Sequence, residues 1–273
     1  MNIPVFLINL KKRKDRRESS LDFLNKLNLD DFMILKRAIT GEESKNYKYK
    51  FIDKNIEDNI YNPESTEILP TWNSLGCCIS HYQCWKKMIT LNLKKAIIIE
   101  DDNIITNLET AKYTLNKAIN ILQCKRDDPS LISLSSTSEM FHSLPGGWCI
   151  PLDKLYSTSF YLLNNECANL LINKTDMHGF KYQLDIQIGY WFNKTYCTHN
   201  SVYFCYHKNS GISQDSKLGS DVQIKYYTKY ELYHILPLPI EIIDIIYKYL
   251  VILYNEQKIL LKKNESYYGY RPI

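Results

Sequence analysis

Ala96-Ile97-Ile98-Ile99-Glu100-Asp101-Asp102 is the stretch from which the fold is read. Four apolar residues form a run of strand length that ends abruptly in three carboxylates. A short, uninterrupted apolar run marks a strand buried on both faces, as in parallel sheets covered by helices. Ile3-Pro4-Val5-Phe6-Leu7-Ile8-Asn9-Leu10 is a second run of this kind, bounded by charges. Between them the period changes. Lys14 to Leu29 sets Leu21, Phe23, Leu24 and Leu27 on one side and charges on the other, which predicts an amphipathic helix. Leu75, Ile79, Tyr82, Trp85 (or Lys86) and Ile89 fall at helical spacing behind a cap at Asn73 or Ser74. Further strands are expected at 32–38, 131–134, 155–163 and 201–206, and further helices at 108–122, 166–172 and 183–192. Pro145-Gly146-Gly147 reads as a turn. Thr40 to Pro70 is polar and weakly periodic, and reads as irregular with short helices. Strands alternating with helices define an α/β protein with a mainly parallel, Rossmann-like sheet and flanking helices.

Composition narrows the field. The chain has 273 residues, 45% of them hydrophobic and 23% charged, enough for one large domain or two small ones with a sizeable core. Glycine and proline number only 9 each, which excludes collagen-like and broadly disordered chains. The net charge of +4 is too small and too dispersed to argue for a nucleic-acid partner. Twenty-two tyrosines and many Asn, Ile and Lys residues suggest an AT-rich genome, such as that of a giant virus. The N-terminal run precedes its charges and has no small-residue cleavage site, so no secretory signal is read. No stretch reaches the roughly 20 uncharged apolar residues of a membrane span. The 8 cysteines form no CxxC pair and read as buried thiols. These features together predict a cytoplasmic protein, in the host cytoplasm or the virion if viral. Sequons at Asn173, Asn193 and Asn264 are expected by chance in so asparagine-rich a chain.

Ligands of open α/β sheets lie beyond the carboxyl ends of the strands. Lys11-Lys12-Arg13-Lys14-Asp15-Arg16-Arg17 follows the first strand, and Arg13 and Arg16 share a helix face. Guanidinium groups at a helix start suit a diphosphate, and a solvated basic turn is the alternative. Glu100-Asp101-Asp102 follows the third strand. Adjacent carboxylates repel one another unless a cation offsets them, and oxygen ligands suit Mg²⁺ or Mn²⁺. In extended backbone Glu100 and Asp102 point one way and Asp101 the other, so some could reach a metal while another contacts ribose. A solvated acidic turn is the alternative. Tyr206-His207-Lys208-Asn209 closes the last strand; His207 could complete a metal shell, preferably of Mn²⁺, and Asn209 could contact a phosphate. Basic cluster, acidic triplet and late histidine together fit a sugar nucleotide, whose diphosphate leaving group is stabilised by metal and arginine.

Three blocks carry a family resemblance. Val5-Phe6-Leu7-Ile8-Asn9-Leu10 with Arg13, Asp15, Arg16 and Arg17 is similar to an "INL-x-x-R-x-DRR" opening. Gly76-Cys77-Cys78-Ile79-Ser80-His81-Tyr82-Gln83-Cys84-Trp85 is similar to "GC-x-x-SH-x-x-x-W". Ala96 to Asp102 is similar to "ALILEDD". In order and spacing, across about residues 3 to 221, the chain resembles the family-25 glycosyltransferases, the group of lipooligosaccharide and procollagen galactosyltransferases. Weaker correspondences are Ser157 to Tyr161, Leu184-Asp185 and Ser220-Asp221. His207-x-Asn209 looks more like the glycosyltransferase domain of lysyl hydroxylases.

The resemblance implies a GT-A fold, a UDP-sugar donor, Mn²⁺ or Mg²⁺, and inversion at the anomeric carbon, moving a hexose to a hydroxyl of a glycan or protein acceptor. On it, the metal ligands are Asp102, Glu100 and His207. The nucleotide is contacted by Asn9, Arg13, Arg16, Ser80, His81, Glu100, Asp101 and Asn209. Asp185 is the candidate general base, with Glu139 as the second candidate. Ser80 and His81 would face the nucleotide cleft or, alternatively, form a buried pair supporting their helix. Trp72 and Trp148 could stack on a sugar or lie in the core.

Domain organisation follows: a catalytic domain over residues 1–235 and a helical tail over 236–273. The tail's Leu238-Pro239-Ile240-Glu241-Ile242-Ile243 looks like an F-box opening but is too short for a full one. It is expected to pack on the domain or to form a homodimer contact. Two other classes compete: an inactive nucleotide- or glycan-binding adaptor that recruits a partner through the tail, and a nucleic-acid binder. The intact acidic triplet opposes the first, and the lack of a wider basic stripe opposes the second.

Overall fold

The structure, a computed structural model, describes residues 3–52, 71–125, 128–138, 140–152, 155–199 and 202–214. The elements in order are β1 (Val5–Asn9), α1 (Lys14–Lys26), β2 (Met33–Arg37), the one-turn helices α2 (Gly41–Ser44) and α3 (Lys48–Phe51), α4 (Trp72–Thr90), β3 (Lys95–Glu100) and β4 (Asn103–Ile105). There follow α5 (Leu108–Cys124), β5 (Ser130–Ser133), β6 (Phe141–Ser143), β7 (Trp148–Pro151), β8 (Phe160–Asn164), α6 (Asn165–His178), α7 (Leu184–His199), β9 (Tyr203–His207) and β10 (Ile212–Gln214).

Eight strands form one sheet in the order β2-β1-β3-β8-β5-β9-β7-β6, and β10 pairs with β4 in a separate ribbon. Strands β2, β1, β3, β5, β9 and β6 point one way. Strands β8 and β7 run against them, so the sheet is mixed as well as α/β. The period-2 alternation of side chains builds two cores. Phe6, Ile8, Ala96, Ile98, Tyr161 and Leu163 face α4, α6 and α7. Val5, Leu7, Ile97, Ile99, Phe160 and Leu162 face α1 and α5. Both faces of β1, β3 and β8 are therefore covered, which is why these strands read as unbroken apolar runs.

Local chemistry sets the helix starts. Helix α4 is capped by Thr71, whose hydroxyl accepts from the Ser74 amide at 3.0 Å, so the cap lies ahead of the expected Asn73 or Ser74. Helix α5 is capped by Asn107 and α6 by Asn164 in the same manner. The strand expected over 155–163 is shorter: Ser157 takes φ 70°, which breaks extended backbone, and pairing begins at Phe160. The Pro145-Gly146-Gly147 turn joins the β6–β7 hairpin. The tail, Ser220, Asp221 and Glu139 lie outside the described residues, as do the homodimer contact and F-box-like helix expected there.

Candidate active site

β1 and β3 are parallel neighbours, so their carboxyl ends bring Asn9 beside Glu100-Asp101-Asp102. The three carboxylates part company there. Asp101 turns toward α1, where its Oδ1 accepts from Arg16 Nη1 at 3.0 Å and its Oδ2 from Asn9 Nδ2 at 2.6 Å. Ser20 Oγ donates to the Asp101 carbonyl at 3.3 Å. Asn9, Arg16 and Asp101 are all buried. They form a brace that ties the acidic turn to the first strand and helix. Burial pushes the Asp101 pKa up, against the pull of Arg16 and of Asn9. Arg16 was expected on a diphosphate; the structure commits its guanidinium to Asp101. Arg13, at the start of α1, pairs with Asp15 at 2.8 Å on the surface, and that partner pulls the Asp15 pKa down.

Glu100 turns to the opposite layer. Its Oε1 lies 3.2 Å from Nε2 of His81 on α4. His81 Nδ1 lies 2.9 Å from the Tyr161 hydroxyl, which also accepts from Trp85 Nε1 at 3.0 Å. Asn103 secures the turn behind Glu100, its Nδ2 donating to the carbonyls of Glu100 and Ser159, both at 2.9 Å.

Asp102 is buried, and its Oδ1 has no hydrogen-bond partner among the described residues. Burial, then the charge of Glu100, pushes its pKa up to about 7. Two carboxylates close enough for one to raise the pKa of the other, one with a buried oxygen unpartnered among the described residues, are a donor set for a hard divalent cation, so these residues fit Mg²⁺ or Mn²⁺. His207 is not brought into that set: its ring nitrogen and the Glu100 and Asp102 oxygens do not all approach within 4.8 Å of one another. It closes β9, three strands from β3. Its Nε2 donates to the Gly146 carbonyl at 3.0 Å and its Nδ1 accepts from the Asn209 amide at 3.2 Å, so backbone groups occupy both nitrogens. Burial lowers its pKa, which keeps the ring neutral. A side chain on Gly147, which has φ 82°, would lie 2.9 Å from that Nε2. Asn209 is exposed beside it.

Cys77, on the first turns of α4, joins this mouth. Its sulfur, a His81 ring nitrogen and a Glu100 oxygen all lie within 4.8 Å of one another. Burial and the charges of Glu100, Asp185 and Asp102 push its thiol pKa well up. Asp185 lies in the first turn of α7, and its charge is felt at the Cys77 thiol. Its Oδ2 accepts from the Ser157 amide at 2.8 Å and its Oδ1 from the Ile186 amide at 2.9 Å. Burial outweighs both bonds and raises its pKa, which suits a proton acceptor.

Ser80 does not line this mouth. It is buried, donating to the Gly76 carbonyl at 2.7 Å and accepting from the Ile39 amide at 2.8 Å. It thus ties α4 to the segment after β2. Trp148 lies in the core, edge-on to His207 at 4.9 Å. Trp72, the first residue of α4, is half-buried against the core. Cys77, Trp85, Asn103 and Tyr161 were not expected among the site residues. Cys77 and Trp85 stand in the same block as Ser80 and His81, and that co-occurrence was the available signal.

A mixed sheet flanked by helices, with a buried acidic turn at the carboxyl end of β3, defines an α/β protein whose candidate site lies at the carboxyl edge of its parallel strands. The family model described as glycosyltransferase family 25 (LPS biosynthesis protein) matches residues 2–146. Procollagen galactosyltransferase 2 of Homo sapiens is 34% identical over 98 residues, which are 36% of this chain and 15% of that protein. Procollagen galactosyltransferase 1-B of Xenopus laevis is 33% identical over 175 residues, 62% of this chain and 28% of that protein. A probable inactive glycosyltransferase 25 family member 3 of Bos taurus is 29% identical over 98 residues, 36% of this chain and 16% of that protein. The chain belongs to glycosyltransferase family 25. It spans less than a third of the length of these relatives. Among the described residues no helix is long and apolar enough to cross a membrane.

Proposed function

We propose that this chain is a metal-dependent, inverting glycosyltransferase of GT-A type that moves a hexose from a UDP-sugar to a hydroxyl of a glycan or protein acceptor. The observation that carries this reading is the Glu100–Asp102 pair at the mouth of the parallel strands, with the buried Asp102 oxygen lacking a partner among the described residues. Asp102 and Glu100 would hold Mn²⁺ or Mg²⁺, which when bound supplies charge stabilisation to the departing diphosphate. His207, with both nitrogens bonded to backbone, is left out of that ligand set.

The remaining work falls to the chain's own groups. Asp185 has its oxygens oriented by two backbone amides. It would take the proton of the acceptor hydroxyl as that oxygen attacks the face opposite UDP, and its raised pKa makes it a stronger base. Arg13, at the start of α1, is half-buried and paired with Asp15, and would turn part of its guanidinium to a diphosphate. The brace through Arg16 and Asp101 holds the turn that carries both metal ligands. Seven cysteines among the described residues are free thiols, which supports placing the reaction in a reducing compartment, the cytoplasm.

A second reading is an inactive nucleotide- or glycan-binding adaptor, favoured by the bovine relative named as probably inactive. UDP release from a panel of UDP-sugars, with and without Mn²⁺, separates the two. Metal-stimulated release supports the transferase. Tight nucleotide or glycan binding with no turnover on any sugar supports the adaptor.

A further inference from the structure

The buried groups behind Glu100 have an order that their chemistry dictates. The Trp85 indole nitrogen can only donate, so the Tyr161 oxygen accepts at 3.0 Å. The Tyr161 hydroxyl proton then needs an acceptor, and the polar atom beside it is His81 Nδ1 at 2.9 Å. A lone pair on Nδ1 places the ring proton on Nε2, which faces the Glu100 oxygen at 3.2 Å. The reverse order would leave the Tyr161 proton without that acceptor and turn a bare nitrogen toward a carboxylate. Trp85, His81 and Tyr161 are fully buried, and the His81 and Tyr161 rings stack with centroids 5.7 Å apart.

We propose that Trp85, Tyr161 and His81 form a one-way hydrogen-bond chain that fixes His81 as the Nε2–H tautomer and so positions the Glu100 carboxylate for its ligand. The functional half of this inference rests on the reading of Glu100 as a cation ligand; the tautomer does not. The three residues are positioning residues, since all are fully buried and act on the site through Glu100. The same order argues against the Cys77–His81–Glu100 cluster as a second metal site, because Nε2 carries a proton there and not a lone pair.

Nitrogen-15 NMR of the histidine rings tests the chain without any activity measurement. The expected result is the Nε2–H tautomer signal for His81, giving way to a mixture of tautomers in Tyr161→Phe. Trp85→Phe, which removes only the first donor from the chain, is a second variant should Tyr161→Phe not fold. An Nδ1–H signal in the parent protein, or a tautomer unmoved in both variants, overturns the proposal. Calorimetric binding of Mn²⁺ with UDP tests the positioning. Loss of a group that orients a metal ligand costs about 10- to 100-fold in affinity. His81→Leu should show that loss. His81→Gln, whose amide can accept from Tyr161 and donate to Glu100, should restore most of it. Equal affinity in His81→Leu and the parent protein overturns the positioning role. A parent protein with the expected tautomer that binds no Mn²⁺ supports the chain and removes the metal reading instead.

Discussion

Replacing Asp102 by asparagine should make the metal-free protein more stable while removing its function. Burial and the charge of Glu100 move the Asp102 pKa from its ordinary 3.8 to about 7 in the fold. The folded state therefore keeps a proton that the unfolded chain sheds. Stability is lost as pH rises from about 4, and the loss is complete above about pH 7. A rise of roughly three pH units at about 1.4 kcal/mol each bounds the cost of ionising Asp102 at about 4 kcal/mol. Because the shift of a carboxylate that interacts with a neighbouring charge belongs to the pair rather than to one residue, about 2 kcal/mol is the working value. Asp102→Asn carries no such cost. For a chain of this size about 1 kcal/mol corresponds to about 2 to 4 °C, so the variant should melt about 4 to 8 °C higher near pH 8. That gain should shrink steadily as the pH falls toward 4. Scanning calorimetry in EDTA across this range reads both the size and the slope. Added Mn²⁺ should raise the melting temperature of the parent protein and leave that of Asp102→Asn almost unmoved. An Asp102→Asn protein that melts at or below the parent temperature near pH 8 would refute the argument, because a buried and repelled carboxylate cannot be harmless to ionise.

Arg16→Ala should destabilise the protein by about 3 to 5 kcal/mol, because it leaves Asp101 buried without its cation. A urea midpoint shifted equally with and without UDP would separate this brace from a direct nucleotide contact. Asp185→Asn should lower transfer by about 10²- to 10⁴-fold, with Mn²⁺-dependent UDP binding retained; an unchanged kcat would remove Asp185 as the base. Gly76→Ala puts a Cβ 2.5 Å from the Ile39 carbonyl, so α4 must shift with Cys77 and His81 on it. A loss of about 1 to 3 kcal/mol is expected in chemical denaturation, and no loss would mean that α4 is not pinned at that contact.

The central strands were legible because β1 and β3 are buried on both faces, and such strands write themselves as unbroken apolar runs. Their direction and order were not. A run such as Phe160–Asn164 carries no mark of polarity, so its antiparallel insertion between β3 and β5 is set by how the chain returns from the β6–β7 hairpin. Strands β4, β6 and β10 have three residues each, too few for a period to show. The helix caps were legible as a kind but not as a position. Thr71, Asn73 and Ser74 all qualify in sequence, and only the geometry of the first turn selects Thr71.

The acidic triplet was found by its place at a strand end, yet its division of labour was hidden. Alternation along extended backbone separates Asp101 from Glu100 and Asp102, and the structure keeps that separation. What alternation cannot say is that Asp101 would claim Arg16 rather than leave it for a phosphate. That choice is tertiary: of the cations between Lys11 and Arg17, Arg16 is the one whose helical position buries it over the β3 turn. The consequence reaches the chemistry. Glu100 and Asp102 repel one another, and a free loop would relax by swinging one of them into water. Here Asn9 and Arg16 hold the middle residue from the α1 side. His81 holds Glu100 from the α4 side, and Asn103 ties the Glu100 carbonyl. Two helical layers thus keep two like charges together at the mouth of the sheet, which is why ionising Asp102 is costly there.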